Sequence, residues 1–422
     1  MTAALIENGA VPAAFDRERA IGDSPFTLDW LLTALEEKDE DFVARAFSAL
    51  ECIFQIDAFD ISAGKGFFSC VFKVTISFED NGAPHCVILK IPGAESSQAL
   101  VTEDADLAPL HLEDIIMCHN REVYFYNNFA PNLDIAMVKV FKAVEWIPGK
   151  QMGCVLMESL TGSGELASVA GNYNRQQLKA LVSDIAKLHA YFLALPTAQW
   201  KGKFPIAVYN NPAFPQTVEK MTLKMAEQAP HLFKEGAQKL IPYLRSQKFH
   251  DYTICGLNED VGLPTVLVHG DVWTNNIMLK KNADGSVGNE IRALLDWQLI
   301  HDGCVTFDLA RLFVVSLDGD IRREIEAEML EFYFEILKNQ LKKQGKEVGF
   351  SLDQLKRAYR ISVINQMINL LFFTSVFTRQ EPEDPTEKRI FAARKDKMYL
   401  RAYAALEDSL EYLQEIPEDR LL

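Results

Sequence analysis

Basic residues are scarce relative to acidic ones. Lys and Arg number 43 against 59 Asp and Glu, a net charge of −16. That deficit argues against nucleic acid as a partner, because affinity for a phosphate backbone rests on Lys and Arg. It argues equally against an anionic membrane surface. The seven cysteines, Cys52, Cys70, Cys86, Cys118, Cys154, Cys255 and Cys304, are scattered and form no CxxC pair. They suit buried thiols in a reducing, cytoplasmic compartment better than a disulfide framework or a zinc site. The first twenty residues lack a basic stretch followed by a long apolar core, so no secretory signal is visible. Long apolar runs are also missing. The best of them, Ile361 to Phe377, is interrupted by Asn365, Gln366 and Asn369, which favours a buried helix over a membrane span. No internal repeat is visible. What remains is a chain of 422 residues with 48% apolar content, enough for a sizeable core in two to three domains or one two-lobed unit.

The most informative stretch is Val268 to Leu279, VHGDVWTNNIML. It opens as a β-branched run, carries His269, Asp271 and Asn276, and re-enters an apolar run. Asp296 follows in ALLDWQ, twenty residues after Asn276. An Asp, an Asn five residues on and a second Asp downstream is the spacing of a phosphotransferase catalytic loop plus a metal-binding acid. A hydroxyl attacking a γ-phosphate needs an acceptor beside it, and Asp271 is placed for that. A triphosphate needs Mg²⁺, a hard cation that prefers oxygen ligands. Asn276 offers a carbonyl oxygen and Asp296 a carboxylate. Both Asp residues as turn or cap residues would be the bland alternative. The segments around them read strand, loop, strand, a turn at Asn282 to Gly288, and a returning strand that delivers Asp296 back towards Asn276.

The words HGDVWTNNIM and DWQ resemble the CHK-like (ecdysteroid kinase-like) family, within the aminoglycoside- and choline-kinase-like branch of the protein kinase-like fold. There the loop reads H-x-D-x-x-x-x-N. The resemblance covers nearly the whole chain after residue 25. It implies an α+β, two-lobed protein kinase-like fold with a β-rich N-lobe over 26–157 and a mainly helical C-lobe over 158–422, preceded by a loose leader over 1–25. It implies ATP and Mg²⁺ as cofactors and a small-molecule hydroxyl acceptor as partner. The expected acceptor is steroid-like, glycosidic or xenobiotic. Choline or ethanolamine is the nearest enzyme alternative, and a nucleotide-binding pseudokinase the alternative of another class. No activation segment ending in A-P-E is present, which counts against a protein substrate. The oligomeric state is not readable from the sequence.

Read along the chain, LDWLLTALEEKDEDFVARAF from Leu28 is helical, with Thr27 or Ser24 as its cap. In ISAGKGFFSCVFKVTISFED, Val71, Val74, Ile76 and Phe78 mark a strand with Gly64 and Gly66 just before it. An Asn81-Gly82 turn leads to HCVILKIPG and Lys90. This resembles a glycine-rich hairpin in which Gly64, Lys65, Gly66 and Phe67 cover phosphates, although a plain hairpin bulge gives the same letters. Lys90 sits in an apolar strand, where a lysine is costly unless paired. In the kinase arrangement it contacts the α- and β-phosphates and pairs with a helix Glu. Glu122 in HNREVYFYNNF fits that role, with Glu113 as competitor. The stretch between Lys90 and Glu122 is acidic, weakly patterned and longer than a minimal kinase needs. Strands resume in MVKVFKAVEW and GCVLMESL. Met157 is then the gate-like side chain, and the backbone of Glu158, Ser159 and Leu160 the adenine-facing hinge. NRQQLKALVSDIAKLHAYFLAL is strongly helical, with His189 on its apolar face as a core histidine. His269 anchors the loop backbone, and Trp273 walls an acceptor pocket. Asp308, in VTFDLARLF, either caps a helix or, as the resemblance implies, supports the catalytic loop. Ser351 to Gln354 is a capping-box signal before a helix towards Phe377.

Overall fold

Strand β1 (Ile53–Asp60) begins a five-stranded antiparallel sheet with β2 (Ser69–Phe78), β3 (His85–Pro92), β4 (Val140–Val144) and β5 (Cys154–Glu158), ordered β1-β2-β3-β5-β4. The computed structural model describes residues 16–46, 53–62, 69–79, 82–93, 111–204, 213–378 and 380–422. In β2 the side chains of Val74, Ile76 and Phe78 are buried and those between them are not. That is the two-residue period of a strand with one face on a core. β3 lies in the middle of the sheet, in register with β2 (Val71 opposite Lys90) and with β5 (Lys90 opposite Val155). A lysine there has no edge from which to reach water freely.

The helix Leu28–Lys38 is capped by Thr27, whose side chain accepts from the Trp30 N–H at 3.2 Å. Its Leu28, Leu31, Leu32 and Leu35 pack with Ile56, Val74, Ile76, Val87, Leu89 and Leu156 in one core cluster. Each such fully buried side chain contributes roughly 1.5–3 kcal/mol relative to exposure. The single helix expected from Leu28 onward is broken at Asp39. The Asp39 side chain turns to accept the N–H groups of Asp41 and Phe42 and so starts a second helix, Glu40–Ala46. The expected loose leader also needs correction over its described part. Ile21 is 1% exposed and belongs to the same core cluster, and Ala20 bridges Thr27. An apolar side chain so placed fixes the segment. Residues 1–15 lie outside the described residues. Strand β1 was not anticipated.

The chain divides into two compact units. One takes in the described residues up to 93, with 111–123 and 139–161. The other takes in 124–138 and 162–422. The first is the β-rich lobe and the second the mainly helical one, giving the expected two-lobed α+β class. In the second unit β7 (Thr265–Val268) pairs with β10 (His301–Cys304), and β8 (Ile277–Lys281) lies between β6 (Gly164–Leu166) and β9 (Val287–Leu294). Around them stand the helices Arg175–Ala194, Phe307–Ser316, Gly319–Lys343, Leu352–Phe377 and Pro385–Tyr412. Asn174 and Ser351 both close capping boxes, the second as expected from the sequence. The helix Leu352–Phe377 is long and apolar enough to cross a membrane by length and composition, but 72% of its most apolar window is buried inside the protein. Asn365 and Gln366 are themselves fully buried. Not every thiol is buried as expected, since Cys255 is exposed.

Candidate active site

The loop after β7 is held by one carboxylate. Asp308, on the buried helix Phe307–Ser316, accepts the His269 N–H at 2.8 Å and the Gly270 N–H at 2.9 Å. His189 lies 3.3 Å from the same carboxylate through Nε2, while its Nδ1 lies 2.8 Å from the Tyr333 hydroxyl. Burial alone would push the Asp308 carboxyl up. The hydrogen bond and positive field of His189 and the loop N–H groups outweigh it, and the group sits below the usual carboxylate range. Asp308 is therefore not the cap of its helix, as a purely local reading allowed. It is the anchor of the loop. His189 is the satisfied core histidine expected from its place on the Arg175–Ala194 helix.

Gly270 has φ +83°, and a Cβ there would lie 2.1 Å from the Leu299 carbonyl oxygen, so no side chain fits. His269 is fully buried. The Asp271 N–H donates to its Nδ1 at 3.2 Å, and its Nε2 lies 3.1 Å from the Leu295 carbonyl. Those partners define a neutral ring with the proton on Nε2. Burial lowers its pKa, against the pull of Asp308, Asp271 and Asp296. The carboxylates of Asp271 and Asp296 thus both act on one imidazole.

Asp271 is bonded on both carboxylate oxygens. Oδ2 accepts Asn276 Nδ2 at 2.8 Å and Trp273 Nε1 at 3.2 Å. Oδ1 accepts Arg311 Nε at 3.2 Å and also Arg311 Nη2. Asn276 Nδ2 donates to the Asp271 carbonyl as well, at 3.0 Å. With the amide nitrogen so placed, the Asn276 amide oxygen faces away from Asp271. The β8–β9 hairpin registers Ile277 opposite Leu294, and the Leu295 N–H donates to the Asn276 carbonyl at 2.8 Å. Asp296 is the next residue. It has φ 63° and ψ 73°, the one positive φ outside glycine among the described residues. Aspartate tolerates this left-handed conformation better than most residues, and such outliers cluster at functional sites. Trp297 beside it is fully buried, its ring 4.3 Å from that of His269.

Among the described residues no group of three His, Cys, Asp or Glu side chains could hold a metal. The donors Asn276 Oδ1 and Asp296 carboxylate are hard oxygens. A site of one or two protein oxygens completed by phosphate and water is what Mg²⁺ takes, so the residues fit that ion.

In the first unit Lys90 Nζ lies 3.0 and 2.9 Å from the two carboxylate oxygens of Glu122, on the helix Leu112–Asn128. Glu122 is fully buried and Lys90 8% exposed. The pair uses Glu122 and not Glu113. Met157, next to last in β5, is 8% exposed. Beyond it the Glu158 N–H donates to the Lys139 carbonyl and the Ser159 N–H to that of Cys86. Gly64, Lys65, Gly66 and Phe67 lie outside the described residues.

Arg311 was missed in the sequence. Its side chain is 2% exposed and ion-paired to Asp271. The signal was there: an arginine inside FDLARLFVVS, a helix apolar on every side, has to be paired. Arg311 Nη1 also donates to Gln366 Oε1 at 3.0 Å, and its guanidinium carbon sits 4.8 Å from the Phe373 ring centre. Phe373 stacks on Trp273 at 4.9 Å, with Phe377 5.8 Å from Trp273.

The family profile described as "Uncharacterized oxidoreductase dhs-27" (DUF1679) matches residues 55–415. Uncharacterized oxidoreductase dhs-27 of Caenorhabditis elegans is 25% identical over 393 residues, which is 90% of this chain but 46% of that protein. The chain thus spans under half the length of that relative. Uncharacterized kinase-like protein D1044.1 of Caenorhabditis elegans is 22% identical over 343 residues, 77% of this chain and 83% of the relative. Among solved structures, ADP-bound aminoglycoside phosphotransferase APH(2'')-Ib is 13% identical with a TM-score of 0.40, covering 87% of this chain and 99% of its own. Amicoumacin kinase hAmiN, in complex with AMP-PNP, Ca²⁺ and Ami, is 13% identical with a TM-score of 0.41, covering 87% and 95%. With 361 residues matched by the profile over 55–415, the chain belongs to the DUF1679 family.

Proposed function

We propose that this protein is an ATP-dependent small-molecule kinase that phosphorylates a hydroxyl group. The observation that carries the reading is the junction of Asp271, Asn276 and the Asp296 turn on one anchored loop and hairpin. Asp271 orients the acceptor hydroxyl and takes its proton as the acceptor oxygen bonds to the γ-phosphorus. The bond from that phosphorus to the β,γ-bridging oxygen breaks, and ADP leaves with the electron pair. Asn276 and Asp296 hold Mg²⁺, which when bound neutralises charge on the triphosphate. Lys90, held by the Glu122 carboxylate, supplies the cation for the α- and β-phosphates. Positioning and fixed charge supply most of the rate. A relative whose printed name is kinase-like supports the reading. The oxidoreductase in the other name attaches to a protein of which this chain matches 46%.

For the acceptor, the aromatic cluster of Trp273, Phe373 and Phe377 beside Asp271 supports a steroid-like, glycosidic or xenobiotic alcohol with an apolar face. It supports an ammonium alcohol less, because the Arg311 guanidinium already sits over Phe373 and would repel a second cation.

Calorimetry with ATP, with and without Mg²⁺, together with ATP hydrolysis by wild type and Asp271→Asn, tests the proposal. Metal-dependent binding is expected. The variant should bind ATP normally yet lose about 10²–10⁴-fold in turnover, the range of a general base. Metal-independent binding with no turnover would leave a nucleotide-binding scaffold instead.

A further inference from the structure

We infer that Arg311 is a positioning residue for Asp271, and that Gln366 holds it in place. The inference rests on the kinase reading above. A carboxylate offers about four lone-pair sites. In Asp271 Asn276 and Trp273 meet Oδ2 and Arg311 brings two N–H groups to Oδ1, so an acceptor hydroxyl has to displace one of these donors to reach the carboxylate. The Asn276 contact belongs to the loop itself, five residues away. The Arg311 contact does not. It reaches across from the helix Phe307–Ser316, and because it pins Oδ1 while Asn276 and Trp273 hold Oδ2, the carboxylate is held from both oxygens and its plane is fixed.

Arg311 is itself fixed from a third element. Nη1 donates to Gln366 Oε1, and Gln366 Nε2 donates at 2.9 Å to Asn365 Oδ1. Both amides are fully buried on the Leu352–Phe377 helix. Phe373, from the same helix, lies under the guanidinium and stacks on Trp273. The helix that carries the aromatic surface thus also sets the guanidinium, and through it the carboxylate. Buried amides are costly unless bonded. The Gln366 amide meets this demand on both sides, its oxygen on Arg311 and its nitrogen on Asn365. The test is whether the geometry, and not only the fold, depends on it.

The experiment measures ATP hydrolysis with Mg·ATP as sole substrate, in wild type, Arg311→Ala and Gln366→Met, with KM for ATP and the thermal midpoint recorded for each. Arg311→Ala should lose about a hundredfold in kcat, the scale of a misplacement near 1 Å, with KM for ATP within about twofold. Guanidinium ion added at millimolar concentration should restore several-fold of the loss, which a merely structural role would not allow. Gln366→Met should lose severalfold in kcat at unchanged KM. A folded Arg311→Ala with wild-type kcat, or one whose loss guanidinium leaves untouched, overturns the inference. If Arg311→Ala does not fold, Gln366→Met decides: an unchanged kcat overturns it and a reduced kcat supports it. Wild type that neither binds nor hydrolyses Mg·ATP would instead overturn the kinase reading.

Discussion

Replacing Lys90 by Met separates the two things its ion pair does. Glu122 is fully buried and Lys90 nearly so, with both carboxylate oxygens within 3.0 Å of Nζ. Removing the lysine leaves a charged carboxylate in an apolar core. Breaking a buried pair from one side costs about 3–5 kcal/mol. For a domain of this size roughly 2–4 °C of thermal midpoint accompanies each kcal/mol, so the single variant should melt about 10 °C below wild type. The double variant Lys90→Met/Glu122→Leu removes both charges. Replacement of a buried pair by apolar side chains of similar volume is often neutral or stabilising, so the double variant should regain most of the midpoint. It should nevertheless fail to bind Mg·ATP, because the phosphates have lost their cation. Thermal unfolding followed by circular dichroism, with calorimetry on the same samples, reads both quantities. A double variant no more stable than the single one would refute the account of the pair, and one that binds ATP as wild type does would refute the phosphate role.

Two further outcomes follow from the same geometry. Asp296→Asn keeps a residue that tolerates φ 63° and removes the charge. It should fold with a near-native midpoint while the Mg²⁺ needed for half-maximal ATP hydrolysis rises at least about tenfold, since even outer contacts to a metal ligand are worth that much. An unchanged Mg²⁺ requirement would remove Asp296 from the metal site. The second outcome concerns acid stability. Burial lowers the His119 pKa to about 4, although its Nε2 is 2.8 Å from the Val144 carbonyl, and the field of Lys90 adds to the lowering. The folded protein thus binds this proton less readily than the unfolded chain. The stability it contributes is complete above the ordinary histidine pKa of about 6.5 and is lost as pH falls towards 4, on the order of 3 kcal/mol in all. His269, also lowered, acts in the same direction. Urea midpoints at pH 7.5 and 5 should differ in wild type and differ less in His119→Gln. Equal slopes would disprove the assignment.

The loop from His269 to Asn276 was legible because its information is local. Asp271, Asn276 and the hairpin turn lie within one short stretch, and strand alternation fixes the return of Asp296. Lys90 was legible for the opposite reason, as a charge where burial forbids one without a partner. What escaped notice is what is decided at a distance. Asp308 is not among these: its local letters left a helix cap open, but the resemblance implied support of the loop, and its carboxylate accepts the His269 and Gly270 N–H groups. Arg311 looked like one more residue of a helix until its partner on the loop was seen. The break at Asp39 was hidden in a polar run, EEKDED, that propensity alone reads as continuous helix. Strand β1 follows on a helical pattern in the sequence, and its pairing with β2 supplies what its own letters do not.

The Asp308 anchor has a consequence for how this molecule can vary. One buried carboxylate gathers two consecutive amides of the loop and an imidazole whose far nitrogen meets a phenol on another helix. Four stretches of chain, scattered over more than a hundred residues, therefore share a single fastening. The connections between them are free to lengthen or shorten without disturbing the chemistry. The three side chains at the knot, Asp308, His189 and Tyr333, are not free to drift independently, so change in this region should arrive either in the links, often, or at the knot, together and seldom.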